Sequence, residues 1–171
     1  MTNTPERPMP PLNTDERTNL ASWLDFYRAT VAMKCEGLAD EQARETSVAP
    51  STLTLMGLLQ HLTEVERNWF RRVLTGEDVP PAHGGPAKTE GHDGGFELSG
   101  DETLAGARAR WQEEIAVSRA NCAARSLEDT APFMGGEVNL RWIYTHMIGE
   151  YARHSGHADL LRERIDGRTG V

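Results

Sequence analysis

The stretch HMIGEYARHSGHADLL, residues 146–161, carries three histidines and a glutamate at spacings that suit metal chemistry. On a helical wheel of 100° per residue with His146 at zero, Glu150 falls at about 40° and His157 at about 20°. His154 falls at about 80°, so all four share one side of the helix. Because residues at i and i+4 stack on adjacent turns, Glu150 and His154 can reach one ion.

The same helix has an apolar arc that spans about 60° to about 140° on this wheel, so Glu150 and His154 border or enter the face that must be buried. A carboxylate removed from water is costly unless it is paired or coordinates a metal. An ion pair with Arg153 or Arg141 at a partly exposed site meets the same need. The spacing of these residues leaves both interpretations open.

A third ligand is available in the segment LLQHLTEVERNWF, residues 58–70, where His61 lies at the rim of an apolar stripe. With Glu150 and His154 it makes a set of two histidines and one glutamate. Three protein ligands and an open fourth position are typical of catalytic zinc, and iron(II) uses the same trio. A single histidine at a helix edge is nevertheless more often a surface or core residue, so spacing alone does not decide its role.

Four amphipathic segments must position these residues, and no alternating apolar and polar run is good enough to predict a strand. We therefore predict an all-α fold, a four-helix bundle. The segments run from a capping box at Asn13 and Glu16 to Gly37, from Pro50 and Ser51 to Gly76, from a second capping box at Ser99 and Glu102 to about Arg125, and from near Asn139 to about Ile165.

A Gly- and Pro-rich connection, residues 75–100, separates the second and third segments. Such a length is unusual in a compact domain, so the connection is functional, or mobile, or allows a crossed-over helix order. Its two histidines, His83 and His92, are expected to be solvated and not to bind metal.

Composition excludes several classes of protein. The 171 residues carry a formal net charge of −8 with scattered basic residues, which argues against nucleic acid binding. No secretory leader or apolar run of membrane-spanning length is present, so we expect a cytoplasmic protein that does not contact membranes.

Cys35 and Cys122 form no CxxC motif and fit reduced thiols. We expect a disordered tail at 1–12 and a single domain at 13–171.

The aromatic residues Trp69, Trp142 and Tyr151 are predicted to fill the core and not to serve as substrate platforms. Glu66 falls within the apolar arc of the second segment by its wheel angle. A buried pairing with an arginine from a neighbouring helix is the expected arrangement for this carboxylate.

LLQHLTEVERNWF, followed by LRWIYTHMIGEYARHSGHADLLRERIDG at 140–167, resembles the DinB-like metalloprotein superfamily. Within it, the chain is similar to the actinobacterial branch that includes mycothiol-dependent maleylpyruvate isomerase and mycothiol S-transferases. The resemblance covers nearly the whole chain. It implies a four-helix bundle with a long crossover connection between helices 2 and 3, and a homodimer.

The resemblance also implies a ligand set. Many members bind a divalent metal through one histidine on the second helix and a histidine pair, four apart, on the last, which places His61 and His154 in two ligand positions. Glu150 takes the place of the first histidine of the pair, similar to the His, Glu, His set of the mycothiol-dependent isomerases. His157 falls where many relatives carry glutamine and is expected to contact a ligand residue or the substrate. His146 is expected to hydrogen-bond Glu150. The alternative for both His146 and His157 is an ordinary position on the helix surface.

The resemblance implies a metal-dependent S-transferase or isomerase that uses a low-molecular-weight thiol such as mycothiol on an electrophilic substrate. The metal, zinc first and otherwise nickel, iron or manganese, would hold the thiol as thiolate, so no catalytic residue beyond the metal centre is assigned. Arg153, with His157, is the predicted contact for the thiol. Arg164 is the other arginine on this side of the helix, and surface charge pairing of the two arginines is the alternative. The alternatives are a hydrolase with metal-activated water and a non-enzymatic, stress-related metal-binding bundle.

Overall fold

The computed structural model describes residues 7–83, 96, 98 and 100–169. All four predicted long helices are present in this part of the chain, and the mostly helical fold is confirmed. The elements are α1 (Glu16–Lys34), α2 (Asp40–Ala43), α3 (Leu55–Arg67) with a π-helical continuation (Asn68–Val73), α4 (Leu104–Ala123), β1 (Thr130–Phe133), β2 (Gly136–Asn139) and α5 (Leu140–Asp166).

The chain divides into two compact units. The first unit contains the chain up to Leu55 together with the chain from Tyr144 onward, and the second contains Met56–Ile143. The disordered tail at 1–12 stays a prediction, and its first six residues lie outside the described part of the chain. The single domain over 13–171 also stays a prediction. No helix of the described residues is both long enough and apolar enough to cross a membrane.

In the first unit, α1 begins two residues later than the sequence pattern suggests. Asp15 is the N-cap, and its Oδ1 atom accepts a hydrogen bond from the backbone N–H of Thr18 at 3.0 Å. The predicted cap at Asn13 is therefore wrong. An aspartate in this position satisfies an N–H group that has no partner inside the helix, and its negative charge also interacts favourably with the helix dipole.

Arg162 links α5 to the end of α1 by hydrogen bonds. Its Nη1 atom donates to the carbonyl oxygens of Lys34 at 2.9 Å and Glu36 at 2.7 Å. On the other side, its Nη2 atom lies 2.7 Å from Asp166, one turn further along α5. These contacts satisfy carbonyl groups at a helix end, where the helix itself provides no donors. They hold the part of α5 that carries the candidate ligands against α1.

The second unit contains a β-hairpin that the sequence pattern did not predict. β1 and β2 pair antiparallel through a two-residue turn at Met134 and Gly135, whose φ angles are 49° and 78°. Positive φ at both positions is the type I′ geometry that matches the twist of a hairpin. The strands have four residues each, too few for alternation to be recognised.

The π-helical segment after α3 packs against α4. Glu114 of α4 is buried and accepts hydrogen bonds from Arg67 Nε and Arg71 Nη1, each at 3.0 Å. Asn121 of α4 donates to the carbonyl of Phe70 at 3.0 Å. A π-helical turn leaves carbonyl groups available for partners outside the helix. The helix ends at Gly76, as predicted, with a φ of 69°.

α4 begins at Leu104, and its N-cap is Thr103, whose hydroxyl accepts from the N–H of Gly106 at 3.1 Å. The predicted capping box at Ser99 and Glu102 is wrong. The carboxylate of Glu102 instead accepts hydrogen bonds from side chains distant in the sequence, and Ser99 lies outside the described residues.

Candidate functional site

The central pair of the candidate site lies on α5 in the first unit. Glu150 Oε2 and His154 Nε2 are 3.5 Å apart, and the two side chains are 5% and 6% exposed. The i, i+4 spacing brings them onto one face, as the wheel predicts. A carboxylate and an imidazole at this separation, both removed from water, have the types and the proximity of two ligands of one metal ion.

His157 lies against the other edge of His154. The Nδ1 atoms of the two imidazoles are 3.2 Å apart, and the ring planes meet at 61° with centroids separated by 5.2 Å. One Nδ1 atom donates and the other accepts, so the contact fixes the orientation of both rings. Partial burial lowers the pKa of His157, and the charges of His154 and Arg153 lower it further. His157 is therefore suited to be neutral at pH 7.

Arg153 lies on the solvent side of Glu150. Its Nη1 atom is 3.4 Å from Glu150 Oε1, while its own side chain is 64% exposed. The ion pair between Arg153 and Glu150 that the sequence left open is therefore present. An exposed cation at this distance stabilises a buried carboxylate only slightly. Arg141, the other proposed partner, donates to Glu128 at 2.6 Å.

His61 belongs to α3 in the second unit and is 1% exposed. Its imidazole stacks on the ring of Phe96, with centroids 4.1 Å apart and planes inclined by 15°. The sequence reading missed Phe96. A single large aromatic residue within the Gly- and Pro-rich connection could have drawn attention to this position. Through the stacking, Phe96 of this connection contacts a candidate metal ligand.

His61, Glu150 and His154 are all buried, and their imidazole nitrogen and carboxylate oxygen atoms are ligands that could hold a metal ion. Two imidazoles and one carboxylate neutralise one charge of a divalent cation and leave coordination positions for a further ligand. Catalytic zinc centres commonly have three such protein ligands, whereas structural zinc sites have a closed set of four.

A second polar cluster, which we call the Glu102 cluster, contains Gln60, His83, Glu102 and Arg110 of the second unit. Gln60 Nε2 donates to Glu102 Oε2 at 3.1 Å, and Arg110 Nε donates to Oε1 at 3.1 Å. His83 Nδ1 lies 2.9 Å from Oε2 and its side chain is 5% exposed, so the prediction of a solvated His83 is wrong. The chain after the π-helical segment folds back and buries it. His92 lies outside the described residues.

Two of the three aromatic residues predicted to fill the core are buried. Trp69 and Tyr151 are buried, as predicted, but Trp142 is 47% exposed. Trp142 lies in the first turn of α5, where it packs on Trp69 at 5.3 Å between ring centroids and on Phe133 of the hairpin at 6.5 Å. The unpredicted hairpin thus covers only part of this ring. Glu66 is fully buried, as its wheel angle predicts.

Comparison with known proteins gives one family. The sequence profile described as mycothiol-S-transferase matches residues 19–167, which include every candidate ligand. No curated protein matches the chain.

Proposed function

The chain belongs to the mycothiol-S-transferase family, a DinB-like family, and from that membership we propose that it is a metal-dependent S-transferase whose ion is bound by His61, Glu150 and His154. The family and the four long helices confirm the predicted fold class, a DinB-like four-helix bundle. The family implies mycothiol as the thiol cosubstrate and an electrophilic small molecule as the acceptor.

The observation that carries the proposed metal site is the pair formed by Glu150 and His154. Their facing atoms are 3.5 Å apart on a buried face, where a carboxylate needs a cation. The third ligand is assigned to His61 on two grounds: it is buried in a helix within the family match, and it supplies a nitrogen donor. Zinc is the proposed ion, with nickel, iron and manganese as the alternatives that accept the same ligands.

A divalent ion at these residues would supply the positive charge that holds a thiol as thiolate at neutral pH. The two cysteines of the chain, Cys35 and Cys122, are buried, so the sulfur nucleophile is assigned to the cosubstrate. In the transfer, a bond forms between this sulfur and the electrophilic atom. The leaving group departs with the electron pair of the bond that breaks, and the thiol proton is released.

Three features of the chain serve this reaction in the proposal. His157 holds the ring of His154 in one orientation through their Nδ1 contact, as outer partners of metal ligands do. Arg153 is exposed beside Glu150, where its guanidinium can hold an anionic group of the thiol or the acceptor. Burial of the three ligands excludes water, which strengthens their electrostatic interaction with a cation. A homodimer remains a prediction.

The test is a thiol-consumption assay with purified protein loaded with zinc, mycothiol and an aryl halide as the electrophile. We expect a turnover rate above the uncatalysed reaction that depends on both metal and thiol. Glu150→Gln should abolish it, because the amide removes the ligand charge with little change in shape. Glu163→Gln is the matched control, an exposed glutamate on the same helix.

Failure of the metal-loaded protein to consume mycothiol with any of several electrophile classes would overturn the transferase proposal. Turnover of an ester without thiol would favour the hydrolase alternative, in which activated water replaces the thiol.

A further inference from the structure

The imidazole of His61 lies against the phenyl ring of Phe96, a residue to which the proposed reaction assigns no task. The ring centroids are 4.1 Å apart and the planes are inclined by 15°. Aromatic pairs in proteins are commonly separated by about 4.5 to 7 Å, so these two rings stack closely, face against face. Both residues belong to the second unit.

A stacked ring restrains an imidazole in a different way from a hydrogen-bonding partner. The torsion that turns a histidine ring about its Cβ–Cγ bond has only a weak intrinsic preference, so the surroundings must set the ring orientation. The lone pair with which histidine binds a metal lies in the plane of the ring, whereas Phe96 contacts its face. The stacking therefore opposes rotation of the imidazole without occupying either of its nitrogen atoms.

Phe96 also shields His61 from solvent. His61 is 1% exposed, while Phe96 is 37% exposed. The phenyl ring thus has one side against the imidazole, and the rest of its surface reaches water. An apolar residue beside a metal ligand limits the access of water and lowers the local dielectric constant. Both effects strengthen the attraction between the ligands and a cation.

Two hydrogen bonds hold the Gly- and Pro-rich connection against α3, on either side of His61. Near the start of the connection, the N–H of Ala82 donates to Glu64 Oε2 at 2.7 Å. Just beyond its end, Glu102 Oε2 accepts from Gln60 Nε2 at 3.1 Å. Gln60 immediately precedes His61, and Glu64 follows within one helical turn. The stacked phenyl ring therefore belongs to a segment that is attached to α3 at both ends.

We propose that Phe96 is a positioning residue of the metal centre, whose ring holds the His61 imidazole in the orientation that binds the ion and keeps water from one face. The inference rests on the proposed function, because it takes His61 as a ligand. Outer partners of metal ligands typically change metal affinity by about 10- to 100-fold. A stacked ring that accepts no hydrogen bond should act at the lower end of this range.

The test compares Phe96→Leu, which removes the ring and keeps an apolar side chain, with Phe96→Tyr, which keeps the ring. Leu98→Ala is the matched control, because Leu98 lies in the same connection and is also 37% exposed. Since Phe96 is partly exposed, both of its variants should fold.

The first readout needs no metal. A phenyl ring stacked on the face of His61 shields the Cε1 proton of the imidazole, so its NMR resonance lies upfield in protein with ¹³C-labelled histidine. We expect this resonance to move downfield in Phe96→Leu and to stay near its wild-type position in Phe96→Tyr and Leu98→Ala. The resonance is identified by its absence from the spectrum of His61→Gln.

The second readout is the affinity for zinc alone, measured by competition with a chromophoric chelator. We expect Phe96→Leu to bind zinc about 10-fold more weakly than the wild type. Phe96→Tyr and Leu98→Ala should bind zinc with nearly the wild-type affinity. A role of Phe96 in folding alone would lower the stability of Phe96→Leu and leave its zinc affinity unchanged.

Equal zinc affinities of the wild type and Phe96→Leu would overturn the inference and leave the metal centre in place. An unchanged His61 resonance in Phe96→Leu, or an equal loss of affinity in Leu98→Ala, would overturn it as well. A wild type that binds no zinc would overturn the proposed function together with this inference. The two failures are distinguishable, because only the second is seen in the wild type itself.

Discussion

The two polar clusters of the molecule are assembled in opposite ways. Glu150, His154 and His157 lie on one helix, and their contacts span three or four positions in the sequence. The contacts of Glu102 with Gln60, His83 and Arg110 span 42, 19 and 8 positions. Helical periodicity in the sequence is enough to reveal the first kind of cluster, whereas the second kind depends on how the chain folds back on itself.

The two carboxylates also differ in their surroundings. Glu102 accepts side-chain hydrogen bonds of 2.9 to 3.1 Å, whereas Glu150 Oε2 lies 3.5 Å from His154 Nε2. Short, well-directed bonds satisfy a carboxylate, and longer contacts to potential ligands suit an ion placed between them. We therefore assign a binding role to the α5 cluster and a structural role to Glu102 itself.

The largest predicted effect concerns His154. His154→Ala removes a proposed ligand and should lower the rate of thiol transfer by at least about 100-fold. Steady-state assays with mycothiol and an aryl halide measure it. Leu160→Ala, an exposed residue of the same helix, is the matched control and should keep the normal rate. A normal rate in His154→Ala would show that the reaction does not need this side chain, and it would contradict the binding role assigned to the cluster on α5.

Glu102→Ala should lower the free energy of unfolding by about 2 kcal/mol, because it removes the acceptor of the buried Gln60 and His83 and of the half-exposed Arg110. Urea denaturation measures this change. Glu113→Ala, at an exposed position on α4, should stay within about 0.5 kcal/mol of the wild type. Equal stability of the two variants would contradict a structural role for Glu102.

A smaller effect is expected for His157. His157→Ala should weaken zinc binding by about 10-fold, because His154 loses the partner that orients its ring. Competition with a chromophoric chelator measures the affinity. His157→Gln should recover much of the loss, since an amide can make the same hydrogen bond. Identical affinities for all three proteins would show that the contact between the two imidazoles is incidental.

The smallest effect concerns Arg162 and Asp166, a pair of the same i, i+4 spacing that forms an ordinary ion pair. Hydrogen bonds from Arg162 hold the pKa of Asp166 below its usual value, although burial opposes the shift slightly. A depressed folded-state pKa contributes stability that is complete above the unfolded-state pKa and is lost as pH falls through the folded-state value.

Asp166→Asn should therefore be less stable than the wild type at pH 7, and the difference should shrink as the pH falls below the ordinary aspartate pKa of 3.8. Urea midpoints measured across this pH range test this. A difference that grows on acidification would have the wrong sign for this pair.

The sequence predicted most of the fold because long helices leave a repeated apolar pattern and clear ends, such as Gly76 and Asn139, whose side chain accepts from the N–H of Trp142. The hairpin was not predicted because its strands are short. The alignment of Glu150 with His154 was predictable from their spacing. The burial of His83 was not, because it depends on Glu64 and Arg72 holding a loop that by composition looks solvated.

The most direct test of the central claim is the metal content of purified protein by elemental analysis, with His61→Ala, Glu150→Ala and the control Leu160→Ala prepared in parallel. We predict about one divalent ion per chain in the wild type and in Leu160→Ala, and almost none in the two ligand variants. A wild type that takes up neither zinc nor nickel, or a His61→Ala protein that keeps its full metal content, would contradict the proposed centre.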